Sequence, residues 1–380
     1  MARRNRTLAG RSRRLLAVAP SGKPVVGAAR DASRTAWRED LGKVSCAMIL
    51  AGDIGGTKTK LALFPDRREP PGFARDGGVV ASYDSRAFAG FAEILRDFRE
   101  RQPQALTAAS IGIAGPVRQN RCAATNLPWV VDGGELAFLL GLGELALIND
   151  LEAVGYGIDV LRADEIAELQ AGAPGAVGHR AVIAAGTGLG EAGLFWDGAA
   201  HRPFASEGGH ADFAPRDELE VALLGYLQRE HGRVSWERVV SGPGLVQLYR
   251  FLRQRGEIDL EGEPPGIAAE MQQGDPGEVI SRYAAAGRSA LCARAMELFV
   301  KLYAAEAGNL ALKLMATGGL YIGGGIAVKN LEWMKSPDFI EAFLAKGRMR
   351  PLLEAMPVRV LLNADTALLG AARRAAADLR

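Results

Sequence analysis

One short stretch sets polar and charged residues beside glycines in a way that a plain turn does not require. In Ala51–Phe64, AGDIGGTKTKLALF, an aspartate, adjacent glycines, a threonine and a lysine lie between two apolar runs. A turn needs its glycines, but it does not need Asp53 or Lys58, so a charged group is expected above it. Loops of this kind recur at Gly186–Gly190 and Gly318–Gly325. With no Cβ in the way, the backbone N–H groups of such loops can approach phosphate oxygens closely. Two familiar nucleotide patterns fail. The first stretch has Thr57 before Lys58 and lies between strands, so it is not a P-loop. Gly188-x-Gly190-x-x-Gly193 has dinucleotide-fingerprint spacing, but the strand and turn LFWDG follow where that site needs a helix.

Two further clusters add acids. Asn149 and Asp150, in INDL, follow a strand-like run and precede a helical one. Either residue suits a helix N-cap, but a cap needs only one of them. The other reading is a carboxylate at the carboxyl end of a strand, where α/β folds place their chemistry. In SEGGHADFAP, Glu207, His210 and Asp212 resemble metal ligands, yet Gly-Gly makes the spacing loose and no cysteine or second histidine joins them. Glu207 and His210 can instead offer one acceptor and one donor to a polyhydroxyl ligand.

The surrounding punctuation predicts the elements that carry these residues. Strand-like runs fall at Met48–Ala51, Lys60–Phe64, Val79–Tyr83, Ala108–Ile113, Leu145–Ile148, Ala181–Ala185, Ala192–Trp196, Gly319–Ile322 and Val358–Leu362. Helical patterns cover Phe91–Arg101, a stretch from near Leu151, Asp217–Gln228 and Val234–Arg255, the last interrupted at Ser241-Gly-Pro-Gly244. Val279–Met315 reads as two helices broken near Gly287, and Asp365 or Thr366 caps a final Ala-rich helix. Gly256–Gly277 reads as an exposed excursion. Strands alternating with helices in this way imply an α/β fold. GGTKTKLALFPD and AGTGLGEAGLFWDG echo one another, each a hairpin with glycine at the bend. Two such hairpins, one in each half of the chain, could clamp a ligand between them.

The totals exclude several classes. The chain has 380 residues, 48% of them apolar, and a net charge of +2. Eleven Lys/Arg against three Asp/Glu lie in residues 1–47, so the remainder is mildly acidic at −6. That balance argues against nucleic-acid binding through a basic face. Cys46, Cys122 and Cys292 stand far apart, which argues against a disulfide framework or structural zinc. No apolar run reaches about 18 residues, so no membrane span is expected, and the chain reads as cytoplasmic. Residues 1–47 read as a disordered basic leader, or as residues upstream of a true start at Met48. RSRRLLAVAP faintly resembles an export signal, but its apolar core, Leu15–Ala19, is shorter than a secretory segment needs.

Six motifs in order, AGDIGGTKTKLALF, LINDLEAVGYGI, AAGTGLGEAGLF, SEGGHADFAP, VSWERVVSGPGLVQLYRFL and GGLYIGGGIAVKN, resemble the bacterial glucokinases of the hexokinase/actin-like ATPase superfamily. The resemblance runs from about Met48 to Arg374. It implies an actin-like ATPase (ribonuclease H-like) α/β fold of two domains with a ligand cleft between them. The small domain would be 48–160 plus the C-terminal helix at 364–380, and the large one 161–363. It also implies phosphorylation of glucose at its 6-hydroxyl by ATP and Mg²⁺.

Carried over residue by residue, the resemblance gives Asp150 as the base and Asn149, Asp150, Glu207, His210 and Glu237 as the sugar site. Gly55, Gly56 and Thr57 line one phosphate hairpin, and Gly186, Thr187 and Gly188 the other. Gly323 and Gly324 lie against the adenosine, and Asp53 holds Mg²⁺ largely through water. Relatives of this kind are commonly homodimers. Some features depart from the pattern. Lys58 stands where many relatives carry Asn, and Gly115 where some carry Cys. GGTKT is more typical of the repressor/sugar-kinase branch, whose cysteine-rich zinc motif is absent here. Rival readings are a kinase for another hexose or amino sugar, a sugar-sensing regulator that does not phosphorylate, and a phosphatase or ATPase on the same fold.

Overall fold

The computed structural model describes residues 47–67, 71–256, 264–377 and 379. The expectations for residues 1–46, and the middle of the Gly256–Gly277 excursion, lie outside the described residues.

The first sheet is built from β1 (Met48–Ile54), β2 (Lys58–Pro65), β3 (Val79–Asp84), β4 (Leu106–Ile113) and, after a small hairpin of β5 (Arg121–Ala123) and β6 (Val130–Asp132), β7 (Ala146–Asn149). Its strand order is β3-β2-β1-β4-β7. β1, β2 and β3 form an antiparallel meander, and β4 and β7 continue it in parallel. The second sheet contains β8 (Ile166–Gln170), β9 (Arg180–Ala185), β10 (Leu189–Trp196), β11 (His201–Ser206), β12 (Gly319–Gly323) and β13 (Val358–Leu361). Its order is β11-β10-β9-β12-β13-β8. β9, β10 and β11 form an antiparallel meander continued in parallel by β12 and β13. The two sheets therefore repeat one plan, and the sequence echo marks the first hairpin of each copy.

The period of two along β1 decides where Asp53 points. Met48, Leu50 and Ile54 enter a core with Phe91, Ile94, Leu95 and Phe98 of the helix Phe91–Arg101. Ile49 and Ala51 face the other way, against Leu368, Leu369 and Ala372 of the C-terminal helix Thr366–Ala377. Asp53 belongs to this second set by parity, and it pairs in register with Lys60 on β2.

One more helix, Asp150–Gly157, joins the layers. It packs on the second sheet through Leu151 and through Ile158 just past its end, which share a core with Val182, Ala192 and Leu194. It also crosses the C-terminal helix at close range. A Cβ at Gly370 would lie 1.8 Å from the Ala153 carbonyl oxygen, so this contact requires glycine.

The structure corrects some sequence expectations. Ser241-Gly-Pro-Gly244 begins a helix rather than interrupting one: Ser241 caps Gly242–Arg255 by accepting the Gly244 N–H at 3.0 Å. Pro243 sits in the first turn, where its missing N–H costs nothing. β8 and β11 were not expected. Both are edge strands of the second sheet, and β11 carries Pro203, which an edge tolerates. The long Ala-rich stretch does divide, into Pro276–Ala285 and Ala290–Leu314, with Gly287 between them at φ +62°.

Candidate active site

A cleft of about 660 Å³ collects most of the residues singled out by the sequence. Gly55 and Gly56, from the β1–β2 turn, form part of its wall. Gly186, Thr187 and Gly188, from the β9–β10 turn, form another part. Asn149, Asp150, Glu207, His210, Glu237 and Gly324 complete the set. Three predicted residues are not in the wall. Thr57 is exposed in the turn itself, Gly323 is buried as the last residue of β12, and Asp53 is half-buried on β1 behind the first turn. Lys58 is also exposed and outside the wall.

Asn149 and Asp150 divide the two readings of INDL between them. Asn149 is the N-cap: its Oδ1 accepts the Leu151 N–H at 2.9 Å and the Glu152 N–H at 3.3 Å. Its Nδ2 donates to the Gly115 carbonyl at 3.2 Å, which leaves one amide hydrogen for a ligand. Asp150 is the first helical residue, and its carboxylate faces the cleft with one local bond, from the Leu151 N–H at 2.9 Å. Burial pushes the Asp150 carboxyl up to about 7, with the Asp53 and Glu207 charges adding to the rise.

Asp53 is likewise pushed up to about 6 by burial, opposed by Lys60 and reinforced by Asp365. Lys60 Nζ contacts Asp365 Oδ1 at 2.5 Å, so the start of the C-terminal helix supplies an acid to this corner. The first glycine turn is braced from below. Buried Thr59 shares a hydrogen bond with Ser85 Oγ at 2.9 Å, and Ser85 Oγ donates to the Gly55 carbonyl at 2.9 Å.

Glu237 ties two parts of the cleft together. Its Oε2 accepts the Leu189 N–H at 3.0 Å, beside the second glycine turn. His210 lies between two acids, with Nε2 4.0 Å from Glu207 Oε2 and Nδ1 4.0 Å from Glu237 Oε1. These separations leave room for hydroxyls to bridge. Asp212 turns away and binds Arg233 at 2.7 Å, so it is not part of this cluster. Gly324 is held at φ +86°, and a Cβ there would lie 2.5 Å from the Ala185 carbonyl oxygen. That close approach locks the β12 loop against the second hairpin.

A glucokinase family model matches residues 50–378. The chain belongs to the glucokinase family. A glucokinase from Nostoc sp. is 45% identical over 344 residues, which cover 87% of this chain and 99% of that one. Among solved structures, a glucokinase from an Antarctic psychrotroph matches with a TM-score of 0.73 at 29% identity, covering 86% of this chain and 98% of that one. A ROK family glucokinase from Streptomyces griseus, solved in complex with glucose and AMPPNP, matches at 0.57 and 21% identity, over 87% and 99% of the two chains, which speaks for the fold alone. Family membership brings with it the actin-like ATPase fold and a glucose-phosphorylating kinase. Among the described residues no helix is long and apolar enough to cross a membrane.

Several residues of this glucokinase-family cleft were not foreseen. Glu191 on β10 reaches the wall but is otherwise buried, opposite the equally buried Glu306 of the long helix Ala290–Leu314. Burial and the Glu306 charge raise the Glu191 carboxyl well above its ordinary range. A second cavity, of about 520 Å³, shares Gly186 and Thr187 with the cleft and continues past Pro243, Val246, Gln247, Ile326 and Asn330. SGPGLVQ carries part of the family resemblance, but its place in a cavity wall follows only from the packing of Gly242–Arg255.

Proposed function

We propose that the chain transfers the γ-phosphoryl group of ATP to the 6-hydroxyl of glucose, with Asp150 as the general base. The observation that carries this is the position of Asp150: a carboxylate raised to about 7, at a helix start, facing both glycine turns across one cleft. A base titrating near the working pH is well matched to removing a hydroxyl proton, an effect worth about 10²–10⁴-fold. Phosphoryl transfer otherwise depends on positioning and charge neutralisation.

The chain's residues divide the remaining work. Asn149, Glu207, His210 and Glu237 orient the sugar so that its 6-hydroxyl meets Asp150. The N–H groups of Gly55, Gly56, Thr57, Gly186, Thr187 and Gly188 hold the phosphates from both sides. The adenosine runs past Gly323 and Gly324 into the adjoining cavity, between Pro243 and Ile326. The donor set fits magnesium that arrives with the nucleotide. Asp53 is a buried carboxylate with Lys60 and Asp365 beside it, and Mg²⁺ favours one or two carboxylates plus phosphates and water. When bound, the ion supplies neutralisation of phosphate charge; Asp53 would hold it through water.

The division into a small domain, 48–160 with 364–380, and a large one, 161–363, gives the cleft two walls that can close. Glu207 and His210 are both more than half exposed. Closure on sugar would cover them and exclude water from the phosphate.

The test is a coupled assay of purified protein across a panel of hexoses and amino sugars with ATP, ADP and polyphosphate. Glucose with ATP and Mg²⁺ is expected to give the highest kcat/KM. A different preferred sugar, or glucose binding with no turnover for any donor, would overturn the assignment.

A further inference from the structure

A cavity of about 850 Å³ lies at the other end of the Asp150 helix. Its wall draws on Arg67, Phe73 and Arg75 after β2, on Tyr156 and the following Asp159–Arg162, on the start of β11 and on the end of the C-terminal helix. It shares no residue with the cleft. Asp150 and Tyr156 stand on one helix, about 9 Å apart by helical rise.

The charge of this wall is opposite to that of the body around it. Residues 48–380 carry a net −6, yet among the described residues Arg67, Arg75, Arg162, Arg202 and Arg373 line the cavity against Asp76 and Asp159. Burial holds His201 below its ordinary value, so it adds no charge near neutral pH.

A network of structural ion pairs accounts for part of this cluster. Arg373 binds Asp159 at 2.9 Å, Arg202 binds Asp197 at 2.9 Å, Arg75 binds Glu165, and Arg162 binds Asp76. Asp159 also receives Arg180 at 2.6 Å. With these outer partners included, and Asp164 near Arg162, six arginines still face five carboxylates among the described residues. Each guanidinium has five N–H donors, and one carboxylate uses at most two or three of them. The acids therefore orient the arginines without exhausting them. The Arg162 and Arg202 side chains are 54% and 70% exposed, so their free donors are open to solvent.

We propose that this cavity is a second binding site, for a small molecule bearing a phosphate group, with Arg162 and Arg202 as its accessible donors. A planar guanidinium matches phosphate or carboxylate oxygens two at a time, and two accessible guanidiniums suit the three oxygens and near-double charge of a phosphate group better than a single carboxylate. The volume admits a phosphorylated sugar as well as a bare diphosphate.

The experiment is calorimetric titration of the full chain with pyrophosphate and, separately, glucose 6-phosphate, with the cleft held saturated by glucose and a non-hydrolysable ATP analogue. One equivalent of at least one probe is expected to bind. Arg162→Ala/Arg202→Ala should weaken it tenfold or more while leaving Tm and glucose turnover unchanged. Tighter binding of glucose 6-phosphate than of pyrophosphate would assign the ligand to the sugar phosphates, and the reverse to inorganic phosphates. Should the double alanine variant lose stability, Arg162→Lys/Arg202→Lys keeps the charge and is still expected to weaken binding, because the paired donor geometry is lost. Failure of both probes to bind, or equal binding by wild type and variants, overturns the proposal. This readout needs no catalysis, so it stands or falls separately from the role given to Asp150.

Discussion

Glu237 and Gly188 are in enforced contact: a Cβ added to Gly188 would lie 2.5 Å from Glu237 Oε2, the same oxygen that accepts the Leu189 N–H. An acid that faces the proposed sugar position is thus fastened to a turn that faces the proposed phosphate position. The absence of a side chain at residue 188 therefore serves Glu237 as much as any ligand.

Gly188→Ala should accordingly act on sugar binding. The methyl group would push Glu237 off Leu189, and loss of a hydrogen bond to a charged group costs about 1.5–3 kcal/mol. The expected outcome is a roughly tenfold or greater rise in KM for glucose, with a smaller effect on KM for ATP. Steady-state kinetics with each substrate varied in turn distinguishes the two. A change confined to ATP would separate Glu237 from the sugar.

Lys60 opposes the rise in the Asp53 carboxyl, and Asp365 reinforces it. Lys60→Ala should let Asp53 climb above about 6, so that the carboxylate form needs a higher pH. The magnesium concentration for half-maximal activity should rise several-fold at pH 6.5 and much less at pH 8.5. Magnesium titrations at both pH values test this. An equal increase at the two would show that Lys60 does not act through the Asp53 charge.

Much of this was legible along the chain, because apolar runs bounded by glycine mark buried strands and a 3.6-residue period marks Phe91–Arg101. The echoing hairpins read as a possible ligand clamp, while the repeated sheet plan they belong to follows only from the strand order. What stayed hidden was whatever depends on distant segments meeting. Lys60 and Asp365 are 305 positions apart, and nothing local connects them. Glu306 looks like an ordinary acid in an Ala-rich helix until that helix buries it against Glu191. Asn149 shows the limit from the other side. The sequence left a cap and a site residue as alternatives, and the geometry gives its oxygen to the cap while leaving an amide hydrogen for the cleft.

The Glu191–Glu306 pair should make stability fall with pH, the loss growing between the unfolded value and about 8 and complete above it. Both carboxyls titrate higher in the folded protein than in the unfolded chain, where Glu ionises near 4.3. The folded state therefore binds more protons, and stability falls as pH rises. Lys313, 3.4 Å from Glu306, limits the loss without removing it. Glu191→Gln removes one of the two charges and should flatten this decline. Urea unfolding at pH 6 and pH 9 should show a larger drop for wild type than for the variant. Parallel drops would mean that the pair keeps no proton.

Asp150→Asn should lower activity and raise stability together. As a base the carboxyl must be ionised, so wild-type kcat/KM should rise with pH through about 7 and then level. The variant should lose about 10²–10⁴-fold in kcat and lack that limb, while its affinity for ATP stays within a few-fold. Stability moves the other way. The folded carboxyl titrates near 7 and the unfolded one near 3.9, so the wild type pays a burial penalty that grows between those values and is complete above about 7. A neutral amide escapes it. The Tm of Asp150→Asn should therefore exceed that of wild type by several degrees at pH 8 and by less at pH 5. Calorimetric scans at the two pH values, set beside the kinetics, separate a desolvated catalytic carboxylate from one that merely favours the helix N-terminus. Removing an acid that stabilises the helix start lowers stability, whereas removing a desolvated base raises it.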